Sequence, residues 1–554
     1  MAGILLDPRA LTVASSFVTW LIYKIFEPSS VLASFVLLVL LPGAIVQQTK
    51  SHFSSWAWAA FVTYSFFWSL VVTFIAAYRV SPFHPLAKYP GPLSCKITKF
   101  KVASEYGKGN ARTWFMKMHQ QYGEVVRIGP NELSFKTADA INPILLSKPL
   151  PKGPYYDSRI QNNVHQLDGM RDFTMHSKRR KLWNKSVAPG AIKEYGEMLK
   201  GVIDELVEEL TKKDYEVVDM SAWMGYTTFD FMGRMAFSKS FGLVKAGKDE
   251  DGLMHAVDQG TGDAAVISHI PWILPFLNIL PPVGASKFLQ SYTANLAKER
   301  IQNGAVARDL FSYIIAEDEP EESRPSKEAA TSDSMLAVIA GSDTSATALS
   351  HVFYFLLRNP HCMERLRKEI DTTIPDADEM TDYSRQADMP YLNACINEAM
   401  RLYLPVQAGV QRRVERGTGG RLIGKYFVPE DTQVSVHIPL LQRDPRYFSP
   451  IPDEFWPDRF LSQEAYVLPT GETIAKNQLI HNRNVFLPFS AGPQNCAGRA
   501  IAQQEMRAVL CAVLKRFDVE VAEGFDMDSW ERNLRDYYVS HRGPLMVRIR
   551  DRKV

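Results

Sequence analysis

Cysteine is scarce in this sequence. The 554 residues hold five, Cys95, Cys362, Cys395, Cys496 and Cys511, and no two of them form a CxxC pair. That scarcity excludes a disulfide framework and a cysteine-rich zinc site, and it fits a reducing compartment. Excess charge of either sign is missing too, since 63 Lys and Arg stand against 61 Asp and Glu. No basic surplus draws the chain to nucleic acid, and there is no acidic tail. No internal repeat is visible. The apolar N-terminus lacks a clean small-residue cleavage site, so it does not read as a signal peptide.

What is present at the N-terminus is three apolar segments. Leu11 to Phe26 is interrupted by Lys24, Val31 to Val46 contains Pro42 and Gly43, and Trp56 to Tyr78 runs 23 residues without a charge. A bilayer core asks for about 20 such residues, which the third segment meets alone. Arg79, His84, Lys88, Lys96, Lys99 and Lys101 follow it, a basic flank expected on the cytosolic side. Residues 1–88 are therefore expected to be a membrane anchor region with one to three transmembrane helices. Three spans would place the N-terminus in the lumen; the alternative is one span, 56–78, preceded by buried or interfacial helices. Tyr89-Pro90-Gly91-Pro92-Leu93 is a stiff exit from the membrane. Residues 89–554 are expected to form one domain.

Within that domain GEVVRIGPNELSF reads as a hairpin turning at Gly129-Pro130-Asn131. Residues 150–170 read as a long loop. Helical patterns follow at 174–186, 191–213 and 222–237, while four prolines forbid one regular helix over 268–283. Residues 317–333 are the most polar stretch and are expected to be an exposed loop. A long helix is expected from near Asp333, capped by Ser332, to Leu357, stopped by Asn359-Pro360. Further helices are expected at 361–373, 389–403 and 498–516, with an alternating strand at the end. The class is mainly α with small β-sheets.

The chemistry gathers around residues 489–500, FSAGPQNCAGRA. A lone Cys before a helix is ordinarily an inert core residue. Here Gly492, Pro493 and Gly498 make a loop whose backbone can approach a flat ligand closely. The helix starting near Gly498 directs its N–H groups at the sulfur, which favours a thiolate. A thiolate donates strongly to iron. The spacing Phe489-x-x-Gly492-x-x-x-Cys496-x-Gly498 resembles the haem-binding signature of the cytochrome P450 family. The resemblance implies the cytochrome P450 fold, haem b as cofactor and Cys496 as the iron ligand, with Phe489 and Gly498 at the cofactor. One position departs: Gln494 stands where the family usually places a basic residue directed at a haem propionate.

Three further motifs occur in family order. Glu398-x-x-Arg401 on a helix would by itself be an exposed ion pair. The resemblance implies that it interlocks with Arg459 of Phe455-Trp456-Pro457-Asp458-Arg459-Phe460 and holds the Cys loop in place, with Asp458 where the family has Glu. Ala340-Gly341-Ser342-Asp343-Thr344-Ser345 is, on the plain reading, a helix interior of small residues. It resembles the family's oxygen-activation motif, in which the small residues leave room for dioxygen and Asp343 and Thr344 deliver protons. His176-x-x-x-Arg180 sits in a basic stretch that otherwise reads as a solvated face at Lys178, Arg179 and Lys181. The resemblance implies that His176, Arg180 and Arg412 meet the haem propionates, with Arg413 as competitor to Arg412.

The implied activity is a monooxygenase reaction: one atom of O2 enters a lipophilic small molecule and the other leaves as water. Electrons are expected from an NADPH-cytochrome P450 reductase in the same membrane, with cytochrome b5 as a second donor and the Lys178–Lys181 face, with Arg499, as docking surface. The expected location is the endoplasmic reticulum membrane, catalytic domain in the cytosol. Residues 155–170, Val338, Ile339, Gln407 to Val410 and Tyr537 to Val539 are the expected pocket walls. GEVVRIGPNELSF and HSKRRKLWNK resemble fungal members, which points to hydroxylation of a secondary metabolite such as a terpenoid. Two other classes compete. A haem-thiolate isomerase, dehydratase or peroxide-rearranging enzyme needs no reductase, and Thr344 argues against it. A membrane haem sensor would leave Asp343 and Thr344 unexplained.

Overall fold

The three apolar segments form helices α1 (Pro8–Phe26), α2 (Val31–His52) and α3 (Trp56–Val80) in a computed structural model that describes residues 7–161, 164–304, 307–375 and 380–552. The first six residues of the expected anchor, and Asn162 and Asn163 of the expected pocket loop, lie outside the described residues. Among the described residues α2, with 22 residues, and α3, with 25, are long and apolar enough to cross a membrane. The bundle is inverted relative to a soluble one. Thr12, Ser16, Thr19, Thr49 and Thr63 are buried, while Phe17, Leu32, Trp56, Phe61, Trp68 and Val72 are exposed. Ser16 donates to the Phe67 carbonyl at 3.3 Å, Tyr23 to Ser34 at 2.9 Å, and the Thr49 and Thr63 hydroxyls pair at 2.9 Å.

Pro42 explains the irregular middle of α2. It has no N–H for the carbonyl four residues back, that of Leu38. The chain passes it with a π-helical turn at Val36–Leu40. Trp68 Nε1 then donates to the Leu38 carbonyl at 3.0 Å and the Tyr64 hydroxyl to that of Val39 at 2.7 Å. In lipid such groups must find protein partners, because no water is there to serve them. The basic flank is less free than its sequence implies: Arg79 donates to the Ile97 carbonyl, His84 is buried, and Lys99 pairs with Glu132.

After the short helices Leu93–Ile97 and Phe100–Gly107 come α4 (Ala111–Tyr122) and the expected hairpin, β1 (Val125–Gly129) with β2 (Glu132–Phe135). Next come α5 (Phe173–Ser186), α6 (Pro189–Thr211), β3 (Val217–Asp219), α7 (Met220–Phe237), α8 (Leu253–Ser268) and α9 (Gly284–Asn303). The central helix α10 (Lys327–Arg358) leads to α11 (Pro360–Thr373) and α12 (Pro390–Leu402). Strands β4 (Arg412–Arg413) and β5 (Gln433–Val436) complete a four-stranded sheet in the order β1-β2-β5-β4. Helix α13 (Arg499–Arg516) follows the Cys loop. A second sheet joins β6 (Phe517–Val521) and β3 to opposite edges of the C-terminal strand β9 (Met546–Asp551). Between them lies a short hairpin, β7 (Arg535–Asp536) with β8 (Ser540–His541). The fold is mainly helical with minor sheets.

Helix α10 is buried along most of its length from Ser342 to Leu357 and packs on α7, α12 and α13. It starts about six residues earlier than expected, at Lys327, with Ser326 accepting from the Ala329 N–H at 3.2 Å. Residues 327–333, expected in an exposed loop, are helical. The polar Asp333 is buried because Arg179 Nε (2.7 Å), Trp183 Nε1 (3.1 Å) and the Leu167 N–H (3.2 Å) all donate to it. Arg179 is thereby withdrawn from the basic face, which keeps Lys178 and Lys181. Four prolines do break 268–283, leaving a short helix Leu274–Leu277.

Candidate active site

The loop that carries Cys496 is shaped by its own backbone. Gly492 has φ +78°, and a Cβ there would lie 2.0 Å from the Leu145 carbonyl oxygen, so no other residue fits. The Cys496 N–H donates to the Phe489 carbonyl at 3.0 Å, folding the loop back on itself. Gly498 caps α13, and Arg499 lies 5.8 Å over the Phe489 ring. Cys496 is exposed although the helix after it is core. Enclosure by protein pushes its thiol up; the Gly498 N–H, Arg180 and Arg499 pull it down without prevailing. The helix terminus therefore acts in the expected direction.

Beneath this loop lies a fully buried ion network. Glu398 receives Arg401 at 2.7 and 2.8 Å, Arg459 at 3.0 Å and the Trp456 N–H at 3.0 Å. Arg401 donates onward to the carbonyls of Gln442 and Pro452, and Arg459 to that of Ile451. The Gln442 side chain accepts from the Leu487 N–H at 2.9 Å, two residues before Phe489. The network thus reaches the Cys loop through one glutamine. Burial would raise the Glu398 carboxyl, but Arg401 and Arg459 overcome it and hold it below the ordinary range. Asp458 stays outside the network, paired with Arg365 at 2.8 Å.

A second group gathers basic side chains. His176 and Arg412 are buried, Arg412 on β4 beside β5. Arg180 donates to the Asn495 carbonyl at 2.6 Å and to its side chain at 3.0 Å, next to Cys496. Lys152, which no motif pointed to, is buried beside them and bonds the Asp168 carbonyl. Burial pushes Lys152 down to about 7, with Asp168 pulling up and Arg412, Arg159 and Arg180 pushing down. His176 is pushed down to about 4 by burial and by Lys152, Arg180 and Arg412. Among the described residues Lys152 and Arg180 donate to carbonyl and amide oxygens and Arg412 to a carbonyl and the Tyr156 hydroxyl, none of them to a carboxylate, while Asp168 is taken by Arg159 at 3.0 Å. Gln494 adds an amide whose two polar atoms are buried without partners, and Arg412 Nε is likewise unpartnered. Buried cations without acids, and orphaned donors beside them, fit the two carboxylates of haem b. Arg413 points elsewhere, to Glu27 at 3.2 Å and Asp431 at 3.0 Å.

On α10, Ala340 is exposed in mid-helix, and Thr344 donates its hydroxyl to the Ala340 carbonyl at 2.6 Å. Asp343 is buried, with one oxygen held by Arg542 at 3.0 Å and the other unpartnered. Gly341 has a packing reason as well: a Cβ there would lie 1.7 Å from the Met232 methyl of α7, so its small size serves helix contact rather than only room for dioxygen. Glu505 of α13 is buried beside Ser345, and burial pushes it up to about 8 with Ser345 pulling down. Of the expected pocket walls, the 155–170 loop meets Tyr537 to Val539. Arg159 lies over the rings of Tyr156 and Tyr538 at 4.8 and 4.2 Å, and Val406 bridges Val539. Lys152, Glu505 and Arg542 escaped the sequence reading because each acts through residues far away in the chain.

A family profile described as Cytochrome P450 matches residues 88–544. The chain is 30% identical over 490 residues to Cytochrome P450 monooxygenase phqL of Penicillium fellutanum, covering 87% of this chain and 82% of that protein. It is 32% identical over 451 residues to Cytochrome P450 monooxygenase nodW of Hypoxylon pulicicidum, covering 80% and 79%. It is 31% identical over 475 residues to Cytochrome P450 67 of Uromyces fabae, covering 84% and 86%. With that match spanning the whole region in which the Cys loop, the ion network and the cationic group are assembled, the chain belongs to the cytochrome P450 family and is a haem b-dependent monooxygenase.

Proposed function

We propose that Cys496 is the iron ligand of haem b and that Lys152, His176, Arg180, Arg412 and Gln494 receive its propionates, with Phe489 and Gly498 lining the cofactor. The observation that carries this is the meeting of an accessible Cys496 with buried cations that have no acid of their own. When bound, haem b supplies the activation of dioxygen and the transfer of one oxygen atom. The protein's own work is narrower. Gly492 and the Phe489 carbonyl present the sulfur, Glu398 and Gln442 keep the loop from shifting, and Arg180 ties the loop to α5. Asp343 moves protons inward, and Thr344 turns its hydroxyl to pass them on.

Residues 1–88 are proposed as a membrane anchor with one to three transmembrane helices and 89–554 as the haem-binding domain. The polar seam inside the bundle and the apolar exterior support it. So does a second apolar patch on the domain, Trp272, Phe276, Leu277, Ile279, Leu280 and Val283, with Trp272 against Phe100 at 6.2 Å. The anchor places the domain on the cytosolic face of the endoplasmic reticulum, where an NADPH-cytochrome P450 reductase, aided by cytochrome b5, meets Lys178, Lys181 and Arg499. The substrate is a lipophilic secondary metabolite such as a terpenoid, hydroxylated between the tyrosine-rich loop at 155–170 and the wall at Val338 and Ile339. The test is a carbon monoxide difference spectrum of the reduced protein. A thiolate-type red-shifted Soret band is expected, absent in Cys496→Ala; a folded, haem-loaded wild type without it overturns the assignment. Label from O2 in the product, dependent on reductant, separates monooxygenation from isomerisation.

A further inference from the structure

We propose that Arg542 is the positioning residue for Asp343, and that Asp258 shares its charge from the solvent side. The inference rests on the reading of Asp343 as the proton-delivering acid.

The geometry is specific. One guanidinium nitrogen of Arg542 lies 3.0 Å from Asp343 Oδ1 and 2.7 Å from the Thr347 hydroxyl, one turn further along α10. Gripping both positions at once fixes the Asp343 carboxylate along the helix. Oδ1 is held, while Oδ2 stays buried without a partner. A carboxylate that relays protons needs one oxygen anchored and one free, and this arrangement provides both. Arg542 enters from the C-terminal segment just after β8, on the side of α10 where α7 presents Gly225. A Cβ there would crowd the Met254 methyl at 2.3 Å and touch Arg542 at 3.5 Å.

The outward side of the pair carries further titratable groups. His541, next to Arg542, accepts or donates at 3.1 Å with the Thr261 hydroxyl and lies 3.8 Å from Asp258 of α8. Asp258 is half-exposed. Its partial burial and the Asp343 charge push it up to about 6, while Arg542 and His255 pull it down and Asp249 adds a smaller push upward. Burial pushes His541 down to about 4, Asp343 pulling up and Arg542 pushing down, so His541 is neutral at working pH. From α7 come Gly225 and Met232, which do not titrate, and the N-cap carboxylate Asp219, which also feels Arg542 while accepting from the Ser221 and Leu545 N–H groups; His351 of α10 feels Arg542 too, and burial keeps it neutral. Two carboxylates, one buried and one facing solvent, therefore share one permanent cation. A proton taken up by Asp258 removes a competing negative charge and leaves Arg542 more fully to Asp343.

The experiment uses full-length holoenzyme reconstituted with its reductase, without substrate. Hydrogen peroxide released per NADPH is followed across pH, and carboxyl infrared bands are titrated in parallel. Removing the cation in Arg542→Gln should raise peroxide release roughly threefold or more at neutral pH and move the midpoint of its pH profile upward. Arg542→Lys should return both toward wild type. Asp258→Asn should move the midpoint downward, because a competing negative charge is gone. A packing defect has no reason to move the two variants in opposite directions. The proposal is overturned if Arg542→Gln, with its Soret band intact, keeps the wild-type profile, or if both variants shift the same way. Should Arg542→Gln fail to hold haem, the direction of the Asp258→Asn shift decides alone. If Asp343→Asn and Thr344→Ala leave peroxide release untouched, the proton-delivery reading fails, and the infrared titration still reports whether Arg542 holds Asp343.

Discussion

Two buried charge groups flank the Cys loop, and they are opposites. In the Glu398–Arg401–Arg459 network two guanidiniums share one carboxylate, and their other donors reach backbone carbonyls. In the Lys152–His176–Arg180–Arg412 group the cations have only neutral oxygens, of carbonyls, an amide and the Tyr156 hydroxyl, and amide and guanidinium atoms of Gln494 and Arg412 are orphaned. A satisfied network stabilises the fold it sits in; an unsatisfied one opposes its own fold until an anion arrives. The first is architecture and the second is a binding site. Mutation should separate them by sign.

The largest effect is expected at Glu398. Glu398→Gln leaves two buried guanidiniums without their carboxylate, so the solubilised protein should lose about 3–5 kcal/mol of stability and incorporate haem poorly. Chemical denaturation and haem-to-protein ratio check it; a loss under about 1 kcal/mol would erase the distinction. Because Arg401 and Arg459 hold the Glu398 carboxyl down, its contribution is present above the ordinary carboxylate range and is lost only as pH falls through that lowered value. Next comes Gly492→Ala, where the Cβ would meet the Leu145 carbonyl: roughly 2–3 kcal/mol and a displaced loop, read as a weakened thiolate-type band.

Arg412→Leu should behave in the other direction. Haem-stripped protein should be as stable as wild type or up to about 1 kcal/mol more stable, since a buried unpaired charge is gone, while haem is released faster. Equal destabilisation of stripped and loaded protein would make Arg412 part of the architecture instead. The smallest effect is a slope. Lys152 is pushed down to about 7, well under a free lysine, so the unfolded chain binds the extra proton above that value. Stability of the stripped protein should therefore rise from pH 7 to 9 by about 1 kcal/mol per unit, and Lys152→Met should flatten that rise. Urea denaturation at several pH values measures it.

Local signals were legible in the sequence. The spacing around Cys496, the hairpin at Gly129-Pro130-Asn131, the stop at Asn359-Pro360 and the helix after Gly498 all depend on residues within a few positions of one another. The start of α10 was misplaced because Asp333 looks like a loop residue until Arg179 and Trp183 reach it from more than 140 positions away. The choice between Arg412 and Arg413 stayed open until the strand turned one inward and gave the other to Glu27 and Asp431. The apolar runs announced a membrane region, but not that Trp68 and Tyr64 would serve the carbonyls near Pro42.

By itself, then, the amino-acid sequence determined the family, the Cys496 loop and the apolar length of the anchor, because these are written in short-range spacing and composition. Tertiary structure decided which charges are matched and which are left waiting: Lys152 beside Arg412, Arg542 on Asp343 across 199 positions, Glu27 on Arg413. The reason is physical. A buried charge is defined by what surrounds it in space, and no pattern along the chain encodes a partner that only folding brings near.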